Sequence, residues 1–316
     1  MRWEVTMIEK GQFEKKKKKV KTSTKLFIIC MLAGPILNWA IFWLYVNTSS
    51  FALAFQNNVG EWSLINFPKF WDQLTSPYGE SIGMALKNTF AYFAVDTFIL
   101  FPAQLVVSYF LYKRIFCFKA FRTIFFLPSI ISGVVLTTVY SNMIASYGPM
   151  GKLLTSFGVE IPMGGFLNNA ETATPAIIIY CAWTAFSGSV ILMTSAMSRV
   201  PVEVLESAKL DGCPTFKELT HLILPLIWSS LSTLLIFQMT GILSSGGPIL
   251  LFKEEGGHNT VTLSFWIFRQ VYGTGQIGGT GNYGLVSCAG LIFTFISVPI
   301  ILGIRRLIEK VPAVEY

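Results

Sequence analysis

Residues 201–225 form a polar stretch between two apolar runs, and they contain the most informative spacing of functional side chains in the chain. Glu206 is followed by Ser207 and Ala208, so one carboxylate stands beside two small side chains, where another surface can approach the backbone closely. Gly212 comes four residues later and is a good helix terminator, because glycine adopts the left-handed conformation at little cost. The stretch is therefore predicted to present a charged helix to a partner.

The local signals around this helix predict a helix, a turn and a second helix. Pro201 suits the first helical position, where its missing N–H is not needed, and Glu203 places negative charge in the first turn. The turn follows at Asp211. Thr215 is predicted to cap the second helix, with Glu218 three residues later completing a capping box.

The sequence contains no recognisable catalytic or metal-binding pattern. His221 and His258 fall on opposite sides of the membrane in the topology derived below, so they cannot form a metal site or an acid–base pair. The nearest approach to a phosphate-binding loop, at Gly151-Lys152, lacks both the first glycine and the Ser or Thr after the lysine. We therefore expect no enzymatic activity and no cofactor in this chain. The cysteines are scattered without a paired spacing, at Cys30, Cys117, Cys181, Cys213 and Cys288.

The composition is that of a membrane protein. Of the 316 residues, 53% are hydrophobic and only 13% are charged, and the mean hydropathy is +0.57. The net charge of +7 does not indicate nucleic-acid binding, because the basic residues cluster at membrane boundaries. Apolar runs long enough to cross a bilayer predict six transmembrane helices, at residues 26–46, 90–112, 124–144, 175–197, 222–243 and 283–304.

The distribution of lysine and arginine predicts the orientation of these helices. With the N-terminus inside, 19 of the 24 basic residues fall on the cytoplasmic side, where they are preferred. Residues 1–25 then form a basic cytoplasmic tail beside the anionic lipid surface, and residues 26–316 form the transmembrane domain. Both termini and the 201–225 stretch are predicted to be cytoplasmic.

The 201–225 stretch also carries a resemblance. The pattern Glu206-Ser207-Ala208, then Gly212, then Leu222-x-Leu224-Pro225 resembles the cytoplasmic EAA loop of permease subunits of binding-protein-dependent ABC importers. In that family the loop is a coupling helix that docks into a cleft on the ATPase subunit. The resemblance implies an all-α membrane protein with the type I ABC importer permease fold, six transmembrane helices and a cytoplasmic coupling helix.

Two shorter patterns resemble the carbohydrate branch of this family. The Gly-Gly-Pro element at 246–248 resembles a signature that follows the EAA loop in carbohydrate permeases. Arg122 with Leu127-Pro128 resembles the pattern that begins a core helix in those permeases, and the two patterns occur here in the same order along the chain. Together they resemble the maltose-F-like member of a permease pair. The distance from Pro225 to Gly246 looks shorter than in maltose-type members.

The resemblance also implies partners and a location. These are a second permease subunit, two ATPase subunits that bind ATP and Mg, an external solute-binding protein, and the plasma membrane of a prokaryote. Force from the ATPase would enter through Glu206, which would pair with a basic residue, and through Ser207, Ala208, Asp211 and Gly212 in the loop.

The predicted spans combine neutral polar groups with aromatic rings and contain no Arg or Lys, which favours a neutral sugar over an anion. Asp96 is the one acid well inside a span; it is either functional, near the outer boundary, or hydrogen-bonded to a neighbouring helix. A stand-alone secondary transporter of a small polar solute remains the alternative function. By resemblance, the substrate site lies on the helices flanking the EAA loop, at Trp183, Thr184, Phe186, Ser187, Gln238 and Thr240.

Overall fold

The computed structural model describes residues 22–57, 59–76, 81–162, 164–253, 257–273 and 281–311. The lysine run of the predicted basic tail lies outside the described residues. Within them, regular structure is helical apart from one isolated antiparallel bridge between Gln56 and Trp62. The chain divides into two compact units, residues 1–52 and 53–316. The prediction of an all-α protein is confirmed.

The first unit is described from Thr22 to Ala52, and the second unit contains the helices that follow. Three helical stretches have π-helical turns within them, and a 3₁₀ turn precedes α9. The helices are α1 (Thr22–Asn38), α2 (Val46–Ala54), α3 (Asn66–Thr75), α4 (Ile82–Ala94), α5 (Phe101–Tyr112), α6 (Phe118–Ile130), α7 (Gly133–Ile144), α8 (Pro149–Ser156), α9 (Ala173–Met197), α10 (Val202–Leu210), α11 (Thr215–Lys217), α12 (Leu224–Leu226), α13 (Trp228–Thr240), α14 (Ile249–Phe252), α15 (Leu263–Tyr272) and α16 (Tyr283–Glu309), with π-helical turns at Trp39–Tyr45, Val95–Leu100 and Glu218–Ile223 and the 3₁₀ turn at Phe166–Asn168.

Four helical segments are long and apolar enough to cross a membrane: Ser23–Ala54, Ile82–Tyr112, Ala173–Met197 and Tyr283–Glu309. Two bent pairs bring the number to six if each pair forms one span. The six-span prediction is therefore consistent with the structure, and the first two spans are longer at their ends than the apolar runs indicated.

The two bent pairs are not the straight helices expected at 124–144 and 222–243. The segments Phe118–Ile130 and Gly133–Ser156 meet at 109°, and Thr215–Leu226 and Trp228–Thr240 meet at 81°. The first break follows Pro128, which removes a backbone hydrogen bond from its helix, and Ile131 is extended there. Hydropathy measures how apolar a segment is and contains no information about the direction of the helix axis. The apolar runs therefore could not predict these bends.

Buried polar side chains join the central helices α5 and α9. The amide of Gln104 donates to the carbonyl of Ala185 at 3.2 Å, and the hydroxyl of Ser108 lies 3.3 Å from the carbonyl of Val190. Both polar side chains are buried. Such bonds hold helices together where the surroundings are apolar and hydrophobic association is weak.

The aromatic segment before α4 forms the short helix α3. Its Phe70 packs edge-on against Phe293 of α16, with ring centroids 5.6 Å apart, whereas Trp71 and Trp62 are exposed. One face of α3 thus belongs to the core, and the other keeps the aromatic surface that the sequence assigned to a membrane interface. Tyr78, assigned to the same segment, lies outside the described residues.

Candidate functional site

Helix α10 occupies the predicted coupling position and ends where the sequence indicated. Pro201 is its N-cap, one position before the one expected. At the other end Gly212 has φ +71°, its N–H donates to Lys209 O at 3.2 Å, and the N–H of Cys213 donates to Ala208 O at 3.0 Å. This pair of bonds is a Schellman motif, which satisfies the last carbonyls of the helix and requires a left-handed residue at Gly212.

The five residues predicted to contact the ATPase do not all face outward. Glu206, Ser207, Asp211 and Gly212 are exposed, whereas Ala208 is buried against this chain's own residues. The small side chain of Ala208 is therefore used for packing within the subunit. Exposed apolar side chains accompany the carboxylate, at Val202, Leu210 and Phe216.

The predicted capping box at Thr215 and Glu218 is wrong. Pro214 is the N-cap of α11, Thr215 is its first residue, and no side chain caps the helix. Glu218 instead forms an ion pair with Lys113 at the end of α5, with Nζ and Oε1 2.5 Å apart. The Glu218 carboxylate therefore interacts with a residue that is distant in sequence, and the local sequence pattern could not predict that contact.

The chain on both sides of α10 is anchored in one buried cluster. The hydroxyl of Tyr109 lies 3.3 Å from the carbonyl of Thr215, which joins α5 to the start of α11. These residues come from α5, from the end of α9 and from the π-helical turn after α11, so the cluster packs the flanks of α10 against three segments of the fold. The cluster consists of Tyr109, Ala196, Met197, Val200, Leu219, Ile223 and Ile227.

A second polar site lies within the predicted spans. Asp96 is close to the middle of the helical segment Ile82–Tyr112, and its carboxylate accepts a short hydrogen bond from the Gln238 amide of α13. Of the readings left open for Asp96, the hydrogen bond to a neighbouring helix is the one observed. Asp96 also lines a cavity of about 210 Å³ between the Val95–Leu100 turn, α9 and the residues after α13.

The four predicted substrate residues of α9 do not line this cavity. Trp183 and Ser187 lie on the opposite face, Thr184 donates to the carbonyl of Tyr180 at 3.1 Å, and the Phe186 ring lies 5.0 Å from that of Phe125. The structure therefore brings Gln238 to Asp96 and leaves these four elsewhere. The cavity face of α9 has the i, i+3, i+4, i+7 spacing of a single helix face, with Ile178, Cys181, Ala182 and Ala185.

Thr240, the last predicted substrate residue, is exposed, and its hydroxyl donates to Phe237 O at 2.6 Å. Sequence reasoning missed other polar groups at the cavity. The hydroxyl of Tyr92 is buried there without a hydrogen-bond partner among the described residues, and Ser244 and Ser245 line the opposite wall. The sequence pattern that could have pointed to Ser244 and Ser245 was the Ser-Ser-Gly-Gly-Pro element, because its position after the fifth predicted span resembles a family pattern.

The second glycine of that element has a packing reason. A Cβ atom built on Gly247 would lie 2.8 Å from Ile177 Cγ2, 2.9 Å from Cys181 Sγ and 3.3 Å from the Tyr92 hydroxyl. Only glycine lets the backbone pass this close to α4 and α9. The element therefore closes one end of the cavity.

Charged residues lie in the helices of the predicted spans, because several helices extend beyond the apolar runs that predicted them. Among them are Lys87 in α4 and Lys119 and Arg122 in α6, since both helices begin before the predicted runs. These three side chains are exposed. Within the described residues no cluster of three or more His, Cys, Asp or Glu side chains has the geometry of a metal site.

Comparisons with known proteins agree with this architecture. No protein-family profile matches the chain. The polygalacturonan/rhamnogalacturonan transport system permease YteP of Bacillus subtilis (strain 168) is 24% identical over 311 residues, which cover 94% of this chain and 93% of the relative. The lactose transport system permease LacF of Rhizobium radiobacter is 27% identical over 248 residues, covering 75% and 77%.

The fold is shared with a solved transporter. A chain in the crystal structure of a bacterial ABC transporter that imports the acidic polysaccharide alginate superimposes with a TM-score of 0.76 at 21% identity, covering 92% of this chain and 97% of that one. This protein is thus a multi-pass membrane protein with the ABC importer permease fold. It is similar over most of its length to permeases named for carbohydrate transport.

Proposed function

We propose that this chain is one of two permease subunits of an ATP-driven oligosaccharide importer. It works with a second permease, two ATPase subunits that bind ATP and Mg, and an external solute-binding protein. The observation that carries the proposal is helix α10, which exposes Glu206 beside apolar side chains while its flanks are anchored in a buried cluster. An exposed carboxylate with apolar neighbours suits docking into a cleft of a partner.

The tight packing around α10 would couple ATP hydrolysis in the partner subunits to movement of the transmembrane helices. Closure of the ATPase dimer moves α10, and the Schellman turn at Gly212 keeps the helix from fraying under load. The cluster around Met197 and Ile223 passes the movement to α5, α9 and the bent helix α12–α13. With both termini cytoplasmic, the cavity then changes from inward to outward access.

The substrate follows from the relatives and from the polar groups in the spans. YteP is named for transport of polygalacturonan and rhamnogalacturonan, and LacF for transport of lactose. In this chain Asp96 and Gln238 would bind sugar hydroxyls, because a carboxylate and an amide together provide acceptors and donors. Trp183 and Thr240, whose side chains are exposed, and the partly exposed Thr184 and Phe186 would contribute where they meet the second permease, whereas Ser187 is buried within this chain.

The decisive experiment reverses the charge of Glu206 in the assembled transporter. Glu206→Lys is expected to abolish solute-stimulated ATP hydrolysis while membrane insertion stays normal. Glu160→Lys makes the same charge change at an exposed residue on the predicted external side, and hydrolysis should persist. Unchanged hydrolysis in Glu206→Lys would refute the coupling role. Uptake by vesicles containing this chain alone would instead support a secondary transporter.

A further inference from the structure

A cleft of about 600 Å³ lies where α5 ends, α6 begins and α9 leads into α10. It is separate from the cavity at Asp96, with which it shares no lining residue. Three cationic side chains line it: Arg114 from the α5–α6 turn, and Lys119 and Arg122 from the first turns of α6. In the predicted topology the cleft opens at the cytoplasmic boundary of the membrane.

Among the described residues, the positive charge in the cleft has no matching negative charge. No Asp or Glu is among its lining residues, and none of the described carboxylates forms an ion pair with Arg114, Lys119 or Arg122. The guanidinium of Arg122 lies 5.8 Å from the Phe126 ring, a contact that leaves its charge in place. Three like charges that converge without a counterion are an anion site.

The backbone adds to this positive field. Helix α6 has 13 residues and begins at Phe118; its N-cap residue, Cys117, has φ +60° and provides no side-chain cap. The first turn of α6 contains no acidic residue, so the positive end of the helix dipole, next to Lys119, is not neutralised by a carboxylate from that turn.

We propose that the cleft binds the phosphate headgroup of an anionic phospholipid. The apolar side chains that line the cleft decide between a lipid and a soluble anion: Val202 is 60% and Ile191 42% exposed, and Leu111, Phe118 and Phe126 line it with them. A headgroup in the cleft places its acyl chains against this apolar rim, whereas a soluble acidic sugar leaves the rim in water. Basic pockets between transmembrane helices on the cytoplasmic side suit such headgroups.

The site also suggests what the lipid does. Val202, the first residue of α10, lines the cleft together with Ser198 and Val200 from the connection to α9. A bound headgroup thus ties the base of α10 to the start of α6. The inference concerns lipid binding alone and does not depend on the proposed transport function.

The test is native mass spectrometry of the purified full chain, titrated with phosphatidylglycerol and with phosphatidylcholine of identical acyl chains. Each basic residue near a membrane surface contributes about fivefold in affinity for an anionic lipid. We expect phosphatidylglycerol to bind at least about tenfold more tightly than phosphatidylcholine. The variant Arg114→Gln/Lys119→Gln/Arg122→Gln should lose this preference; its three side chains are exposed, so the fold should tolerate the change.

The matched control is Arg305→Gln/Arg306→Gln/Lys310→Gln, which removes three basic residues at the end of α16 on the same predicted side. It should keep the preference for phosphatidylglycerol. Equal binding of the two lipids to the unmodified chain would overturn the proposal, as would equal losses in both triple variants. Displacement of phosphatidylglycerol by oligogalacturonate at equal concentration would also overturn it, because the cleft would then be a site for acidic sugars.

Discussion

Asp96 and Gln238 illustrate how a buried polar residue is stabilised inside an apolar fold. A carboxylate in the middle of the segment Ile82–Tyr112 is costly unless a donor satisfies it, and Gln238 supplies one from α13. The sequence singled out both residues, Asp96 as an embedded acid and Gln238 as a polar group near the substrate path. Their pairing spans 142 positions, a distance over which residue patterns give no information.

The pair predicts a non-additive effect on stability. Gln238→Leu leaves the Asp96 carboxylate without its donor, so the free energy of unfolding should fall by about 1–3 kcal/mol. Asp96→Leu/Gln238→Leu removes both partners and should be more stable than Gln238→Leu alone. Thermal unfolding of the purified variants in detergent measures the difference. If the double variant is the less stable one, the hydrogen bond does not have the assigned role.

At the scale of elements, hydropathy predicted which segments are helical but not where a helix bends. The run at 222–243 was expected to be one straight helix, and the structure bends it by 81° between α12 and α13. Helix periodicity likewise shows that Cys181 and Ala185 share a face of α9 and that Trp183 and Ser187 share another. Which face meets the cavity depends on the packing of α9 against other helices, and a single sequence carries no direct information about that packing.

The end of α10 gives a prediction about local stability. Gly212→Ala forces a Cβ into the left-handed region at φ +71°, although no atom lies within 4 Å of it, so the effect is purely conformational. The strain of about 1 kcal/mol should make amides of 202–213 exchange hydrogen about fivefold faster. Gly290→Ala also meets open space but lies inside α16, and it should leave this exchange unchanged. Unaltered exchange in Gly212→Ala would contradict the Schellman assignment.

The ion pair between Lys113 and Glu218 gives a second prediction at this scale. The Glu218 side chain is 9% exposed and that of Lys113 is 35% exposed, so the two partners differ in access to water. Lys113→Met strands a buried carboxylate and should cost about 2 kcal/mol, more than Glu218→Gln, whose remaining lysine reaches water. Urea unfolding compares the two variants. Arg305→Met breaks the exposed pair with Glu309 and should cost at most about 0.5 kcal/mol.

At the scale of the whole molecule, the fold gives the helices, and the distribution of basic residues predicts which side of the membrane each loop faces. The structure is that of a multi-pass membrane protein similar to transport permeases, and the asymmetry of Lys and Arg predicts the direction of its helices. The two proposed sites depend on this direction differently. Helix α10 must face the compartment that contains ATP, whereas the cleft at Arg114, Lys119 and Arg122 needs only a leaflet with anionic lipid.

The predicted orientation can be tested with a native cysteine. Cys117 is exposed in the turn between α5 and α6, on the predicted cytoplasmic side. A membrane-impermeant maleimide added to intact cells should leave Cys117 unmodified and should label it after permeabilisation. Lys152→Cys places an exposed thiol in α8, on the predicted external side, and should be labelled without permeabilisation. Labelling of Cys117 in intact cells would invert the topology and would put α10 out of reach of a cytoplasmic ATPase, so the proposed coupling would fail with it.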